Sequence, residues 1–164
     1  MATVGGRQVD NNDLGVMAAG AAALVFSFLP YWGYSLKGLG GGSASITAWH
    51  SYATLGMLLL IIAAGIVAAR VFGGVTLPAT PIGWHVIVAA LAALGTLLVI
   101  VRALTIGDFG IVGSSISAGV KWGGYLLFLA AVAETVFAVL ALRESGESVS
   151  FDRGTPDAPP PAAT

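Results

Sequence analysis

The chain has 164 residues, of which 57% are hydrophobic and only 9% charged, and its formal net charge at pH 7 is −1. This composition leaves too little polar surface to cover a soluble globule, so it excludes an ordinary water-soluble domain and indicates an integral membrane protein. We expect the lipid bilayer to be its main partner, and we expect no nucleic-acid partner.

Charged residues are absent from three long stretches of the chain, 14–36, 38–69 and 71–101. Each stretch exceeds the ~20 residues that a helix needs to cross the hydrocarbon core of a bilayer. Together with the apolar segment after residue 121, they predict an all-α membrane protein, a bundle of four transmembrane helices within residues 14–143. We place the spans at Leu14–Pro30, His50–Phe72, Pro81–Ala103 and Lys121–Leu142.

Residues 1–13 form an N-terminal tail in this scheme, and Asp13 is placed to cap the first span. A cleaved signal peptide is the alternative interpretation of that span. The preceding residues carry Arg7 against Asp10 and Asp13, and no small-x-small cleavage pattern follows the apolar run. We therefore predict a retained helix.

Small residues recur every four positions along the first span, at Gly15, Ala19, Ala23 and Ser27. Close backbone approach does much of the work of helix association inside lipid, so this helix-packing stripe is predicted to face protein. The second span offers two similar pairs, Ala64 with Ala68 and Gly65 with Ala69. An alanine-rich composition with no packing role is the alternative.

All four tryptophans lie at predicted span ends, at Trp32, Trp49, Trp84 and Trp122. Indole rings prefer the membrane interface, so we predict that these residues are interface anchors. A ligand platform built from clustered aromatic side chains is the alternative.

Glu134 is the one carboxylate set well inside an apolar run. Its neighbours at helical spacing are alanines, which predicts that it faces inward as a neutral acid or as a carboxylate held by a partner. Arg70 and His85 fall in the same half of the membrane, so the three residues form a candidate intramembrane polar site. Three roles stay open: a hydrogen bond between helices, a proton or cation relay, and a buried contact between subunits.

Arg102 and Asp108 form a second charged pair, at the end of the third span and in the loop after it. We expect a solvated interfacial pair that contributes little to stability. A site for an anion or a lipid headgroup is the functional alternative.

The residue inventory offers little catalytic chemistry. The chain has no cysteine, and its two histidines, His50 and His85, begin spans at opposite membrane faces, ~30 Å apart. No nucleophile with a matching base, carboxylate pair or nucleotide loop is recognisable. We therefore expect no metal, no cofactor and no enzymatic activity.

Basic residues set the expected orientation. Four of them, Arg7, Arg70, Arg143 and Arg153, fall on the side of the two tails, and three, Lys37, Arg102 and Lys121, fall on the opposite side. This distribution favours a multi-pass plasma-membrane protein with both tails cytoplasmic. Residues 144–164 are polar and then rich in Pro and Ala, which predicts a disordered C-terminal tail.

The segment from Gly119 to Gly146, GVKWGGYLLFLAAVAETVFAVLALRESG, places an aromatic-flanked apolar helix before a Glu-Ser-Gly turn. With the four-span layout, it resembles small actinobacterial membrane proteins of the mycobacterial 34-kilodalton antigen type. The resemblance implies a cell-envelope or cell-division protein without catalysis, although this chain ends in a short Pro/Ala tail instead of a long Gly/Tyr/Gln-rich one.

These observations predict a non-catalytic plasma-membrane protein that acts through lateral helix contacts with other membrane proteins or with itself. The alternative is an oligomeric small transporter or channel subunit in which Glu134 lies on a proton or cation path.

Overall fold

The computed structural model describes residues 2–4, 6–36, 43–73, 78, 80, 82–105 and 116–147. These residues contain four helices: α1 Asn11–Phe26, α2 Ala53–Phe72, α3 Trp84–Thr105 and α4 Trp122–Ser145. They also contain five short strands: β1 Ala2–Val4, β2 Arg7–Val9, β3 Trp32–Leu36, β4 Ser43–Ile46 and β5 Ile116–Val120.

The helices form an antiparallel bundle in which each helix packs against two neighbours, in the order α1, α2, α3, α4 and back to α1. Three of them, α2, α3 and α4, are long and apolar enough to cross a membrane. Large apolar side chains cover the outside of the bundle, among them Leu58, Leu97 and Leu129. A surface of this kind suits contact with lipid and not with water.

The first helix is shorter than the other three. It has 16 residues, which corresponds to ~24 Å and falls short of a hydrocarbon core about 30 Å thick. It begins at Asn11 and not at Leu14, with Asp10 at the N-cap position and Asp13 inside the first turn. An acidic side chain in the first turn is favourable because it faces the positive end of the helix dipole.

Strands are the main departure from the predicted all-α fold. β3 pairs antiparallel with β4 and with β5, so the loop between α1 and α2 and the loop between α3 and α4 share one sheet. Tyr34 in the central strand faces Ala44 on one side and Ala118 on the other. We call this the sheet end of the bundle. The opposite end, where β1 and β2 form a hairpin before α1 and where α4 ends, is the tail end.

Tyr31 joins the sheet to the helices. Its hydroxyl donates a hydrogen bond of 2.6 Å to the carbonyl of Val99 in α3. Its backbone N–H donates to Ile46, and its carbonyl accepts from Lys121 at 3.0 Å. The side chain is fully buried, and this burial raises the pKa of the Tyr31 hydroxyl, while the nearby charge of Arg102 opposes the rise. One residue therefore fixes the exit of α1 against three other elements.

Small residues set how closely the helices approach. Gly56 and Gly95 meet where α2 crosses α3, and a side chain at either glycine would begin 2.8 Å from the backbone oxygen of the other. Only glycine fits at such a distance, and the crossing brings the two backbones into contact. These two glycines are not among the packing residues predicted from the sequence.

Candidate functional site

Glu134 lies at the centre of the bundle. It is the thirteenth of the 24 residues of α4, and its side chain is fully buried. The carboxyl group rests against Gly20 of α1, where a side chain would begin 3.3 Å from Oε1 of Glu134. The methyl group of Ala64 in α2 fills the rest of the space beside Gly20. Glu134 therefore sits where α1, α2 and α4 meet.

Neither oxygen of Glu134 has a hydrogen-bond partner within the described residues. The two residues that the sequence grouped with it, Arg70 and His85, bind each other instead. A buried carboxyl group without a partner is costly, because it loses its hydration and gains nothing in return. This is the most unusual polar feature among the described parts of the chain.

A groove runs along the outside of the bundle between α1 and α2. It has a volume of about 200 Å³ and extends from Met17 to Leu24 on one helix and from Ile61 to Ala68 on the other. We call it the α1–α2 groove; its small lining residues are Gly20, Ala21, Ala64, Gly65 and Ala68. Gly20 contributes to the groove on one side and contacts the carboxyl group of Glu134 on the other.

A polar cluster occupies the tail end, where α2 ends and α3 begins. Arg70 Nη1 lies 3.1 Å from His85 Nε2, and His85 Nδ1 lies 3.1 Å from Glu147 Oε1. A guanidinium group can only donate, so Nε2 must accept and the ring proton belongs on Nδ1, facing the carboxylate. Arg70, His85 and Glu147, the tail-end cluster, thus form a chain in which His85 lies between the guanidinium group and the carboxylate.

Glu147 reaches this cluster from beyond the end of α4. Gly146 ends the helix with a φ of 67°, and this left-handed conformation reverses the chain. The other oxygen of Glu147 accepts a hydrogen bond of 2.9 Å from the backbone N–H of His85, in the first turn of α3. A side chain at Gly83 would collide with that oxygen. Glu147 therefore caps α3 from a distant part of the sequence.

The environment of Glu147 changes its acidity. Burial alone would raise the pKa of this carboxyl group, but the contacts from the side chain and the backbone N–H of His85, together with the positive charge of Arg70, outweigh burial and lower it. Glu147 is not among the site residues predicted from the sequence, because it falls in the segment expected to form the C-terminal tail. A glycine that ends the helix just before an acidic residue was the only local signal.

Arg102 lies near the sheet end, in the last turn of α3. Its guanidinium carbon is 5.1 Å from the centre of the Tyr52 ring, a cation–π contact. The Tyr52 hydroxyl is hydrogen-bonded to Thr105, whose own hydroxyl donates to the carbonyl of Arg102 at 3.2 Å. Asp108, the partner that the sequence suggested, lies outside the described residues.

The four tryptophans occupy different environments. Trp122 is exposed at the start of α4, and the Trp84 indole donates to the carbonyl of Pro78 at 3.1 Å. Trp49 stacks on Phe28, and its indole N–H donates to Ser27 at 2.9 Å. Trp32 lies in β3 and packs against the core. Two of the four, Trp32 and Trp49, therefore also pack against the protein interior.

The predicted stripe on α1 lies inside the bundle. Ala19, Ala23 and Ser27 are buried. Gly15 faces α4, where a side chain would collide with the ring of Phe137. Of the two pairs proposed on α2, Gly65 points away from the other helices and has open space at its Cβ position.

The two histidines are not brought together. His50 precedes α2 at the sheet end and His85 lies in α3 at the tail end. The described residues contain no cluster of three or more metal-ligating side chains.

No protein-family model, curated protein or solved structure matches this chain.

Proposed function

We propose that this protein is a non-catalytic, multi-pass protein of the plasma membrane that acts by binding the transmembrane helices of other proteins. The open seam between α1 and α2 carries the proposal. It is lined by small residues, faces outward over two helical turns and lies in the part of the bundle where helix contact is thinnest. Small residues on an outward face let a further helix approach closely.

The proposal includes α1 as a fourth span. Ser27–Pro30 continue the chain from α1 to the sheet, and the two hydrogen-bonded turns at their start extend the helix toward the interface. A helix that is somewhat short can be accommodated by local thinning of the bilayer. Four spans place both chain ends at the tail end, and the weak excess of basic residues there favours the cytoplasmic side.

Introduced cysteines test this topology without background, because the chain has none of its own. Gln8, Ser45 and Glu144 are exposed positions at the tail end, the sheet end and the tail end, respectively. A membrane-impermeant maleimide added to intact cells should modify Ser45→Cys. It should modify Gln8→Cys and Glu144→Cys only after the membrane is permeabilised. If Gln8→Cys and Ser45→Cys react alike, α1 does not cross the membrane.

Purification in mild detergent after crosslinking in cells tests the lateral contacts. A photocrosslinker at Gly65, inside the groove, should give adducts with specific membrane proteins. The same group at Ala93, exposed on α3, is the matched control. Recovery of the chain alone and monomeric from both variants would contradict the proposed function.

The resemblance to envelope proteins of the 34-kilodalton antigen type supports a place in a cell-envelope or cell-division assembly. Proximity labelling from the tail tests this placement, because it identifies the neighbours of the protein. Neighbours unrelated to envelope growth or division would contradict it.

One observation favours a second candidate function. The carboxyl group of Glu134 is buried at mid-bundle without a partner in the described structure, as expected of a group that takes up and releases a proton or cation. In this alternative, the protein is an oligomeric small transporter or channel subunit. Proton and cation flux into proteoliposomes would then be lost in Glu134→Gln, and equal flux for both proteins would eliminate the alternative.

A further inference from the structure

We infer that the α1–α2 groove is the docking site for a transmembrane helix of another protein that carries a lysine or arginine at mid-membrane, and that Glu134 pairs with this basic side chain. The inference rests on the proposed function and specifies its surface and the chemistry of its partner.

The groove has the length and shape to accept the face of another helix. Its lining runs over eight residues of α1 and eight of α2, from Met17 to Leu24 and from Ile61 to Ala68, which is about two helical turns or ~10 Å. Small residues form its floor, and both flanks end in larger apolar side chains, Met17, Leu24 and Ile61. A shallow apolar channel of this length fits the face of a helix better than it fits a single ion.

Glu134 lies next to the floor of the groove. Its carboxyl group lies directly behind Gly20, within van der Waals distance of the place where a side chain would begin. No bulky side chain therefore separates the carboxyl group from the floor of the groove. The residues on either side of this point, Ala21 and Ala64, are small as well. At this level Ala64 packs against Gly20, so a long basic side chain that displaced this contact would meet the carboxyl group.

The unpaired carboxyl group of Glu134 determines which kind of molecule can occupy the groove. Both oxygens of Glu134 lack a hydrogen-bond partner in the described structure, so the occupant must supply a donor or a positive charge. A lipid acyl chain could fill the groove, but it would leave the carboxyl group unsatisfied. Pairing with a basic side chain is the usual way in which an intramembrane acid is accommodated.

A second copy of this chain does not supply a basic side chain at the depth of Glu134. Within the four described helices, the basic residues lie in the last turns, at Arg70, Arg102 and Arg143. Glu134 lies at mid-bundle, ~14 Å from the level of Arg143 along the axis of α4. Polar hydroxyl groups at the middle depth, those of Thr96 and Thr135, are already bonded to each other inside the bundle. The partner is therefore a different protein.

A defined peptide tests the inference. The full chain, with a donor dye on Glu144→Cys, is reconstituted into bilayers with an acceptor-labelled synthetic transmembrane helix of Leu and Ala that carries one central Lys. A second helix with Leu in place of Lys is the matched probe. Energy transfer measures association. The Lys helix should bind the native chain, and the Leu helix should bind about tenfold more weakly, as expected when an interhelical polar contact is lost.

Two variants locate the contact. Glu134→Gln should weaken binding of the Lys helix about tenfold and should leave binding of the Leu helix unchanged. Gly65→Leu adds a bulky side chain on the open side of the groove, where the Cβ position has no neighbour within 4 Å, and it should weaken binding of the Lys helix to a similar extent. Ala93→Leu adds the same group to an exposed position of α3 and should leave binding within about twofold of native. All three variants must remain monodisperse in detergent, which shows that they fold.

Several outcomes would overturn the inference. Equal binding of the Lys and Leu helices to the native chain would show that the partner needs no basic side chain. Undiminished binding of the Lys helix to Gly65→Leu would show that the helix does not bind in the groove. Cation flux that depends on Glu134, without any binding of the Lys helix, would assign the carboxyl group to a relay instead. If the crosslinked partners recovered from cells are the same for the native chain and for Glu134→Gln, the inference fails while the proposed function stands.

Discussion

α2 packs against α3 on one side and against α1 on the other, and small residues line both seams. Toward α3, Gly56 and Gly95 face each other and bring the two backbones into contact. Toward α1, Ala64 meets Gly20 on the inner side of the seam, while Gly65 faces open space on the outer side, where the groove lies. Small residues therefore bring two helices together where they face each other inside the bundle, and they leave room for another molecule where they face outward.

The polar groups near the two seams differ in the same way. The seam between α2 and α3 ends in the tail-end cluster, in which His85 contacts both Arg70 and Glu147. The seam between α1 and α2 lies over the carboxyl group of Glu134, which has no hydrogen-bond partner in the described chain. A cluster of charged and polar groups in mutual contact holds two helices together, whereas a buried group without a contact of this kind is stabilised when a partner binds.

The largest effect is expected where the closed seam is forced apart. Gly56→Leu would place a side chain 2.8 Å from the carbonyl oxygen of Gly95, and a backbone atom cannot move aside without separating the helices. We expect a loss of about 3 kcal/mol in the free energy of unfolding. Titration with a denaturing detergent, followed by tryptophan fluorescence, measures it.

Gly65→Leu is the matched control for this prediction. It adds the same side chain to the same helix, but on the open seam, where the Cβ position has no neighbour. Its free energy of unfolding should stay within about 0.5 kcal/mol of native. Equal losses for the two variants would mean that the seams do not differ in packing.

A smaller effect, of opposite sign, is expected at Glu134. Glu134→Leu keeps a similar volume and removes a buried polar group that gains no hydrogen bond, so it should raise the free energy of unfolding by about 1–3 kcal/mol. The same titration measures the gain. The same variant should bind the Lys helix more weakly than the native chain does. The free energy of unfolding would then rise while the affinity for the Lys helix falls.

Thr96→Val is the contrasting variant for Glu134→Leu. The Thr96 hydroxyl donates to the carbonyl of Ala131 at 2.9 Å and contacts Thr135, so its removal should cost about 1 kcal/mol. If Glu134→Leu also destabilises the bundle, the carboxyl group contributes to packing between helices, and the first of the three roles expected from the sequence applies.

The sequence predicted the helices because apolar runs without charge have few alternatives in a membrane. The predicted ends were off by a few residues: α3 begins at Trp84 and not at Pro81, and α4 ends at Ser145 and not at Leu142. The strands could not be predicted in this way. β3 and β5 are short, contain Gly and Ser, and pair across two helices, so no local pattern marks them.

The candidate site was predictable in part. The alanines around Glu134 indicated an inward position, and the structure buries it. Its partners were not predictable, because charge and depth alone suggested Arg70 and His85. Arg70 contacts His85, and His85 contacts Glu147, which reaches it through the left-handed turn at Gly146 and the space left by Gly83. Contacts of this kind depend on tertiary structure and leave little trace in one sequence.

The smallest expected effect is a change in the pH dependence of stability at the tail-end cluster, where the seam between α2 and α3 ends. The pKa of Glu147 is lowered in the folded protein, so its contribution to stability is present above the ordinary value of about 4.3 and is lost as pH falls through the lower folded value. The cluster is partly exposed, which limits the contribution to less than about 1 kcal/mol. Thermal midpoints measured between about pH 6 and pH 3 should fall less for Glu147→Gln than for the native chain, because glutamine does not titrate.

Glu144→Gln is the control for this pH dependence, because Glu144 is exposed on the last turn of α4. It should keep the native slope of thermal midpoint against pH. An unchanged slope in Glu147→Gln would mean that the tail-end cluster adds nothing to the closed seam. The glycine crossing would then be sufficient to hold α2 on α3, and the two seams would differ in shape alone.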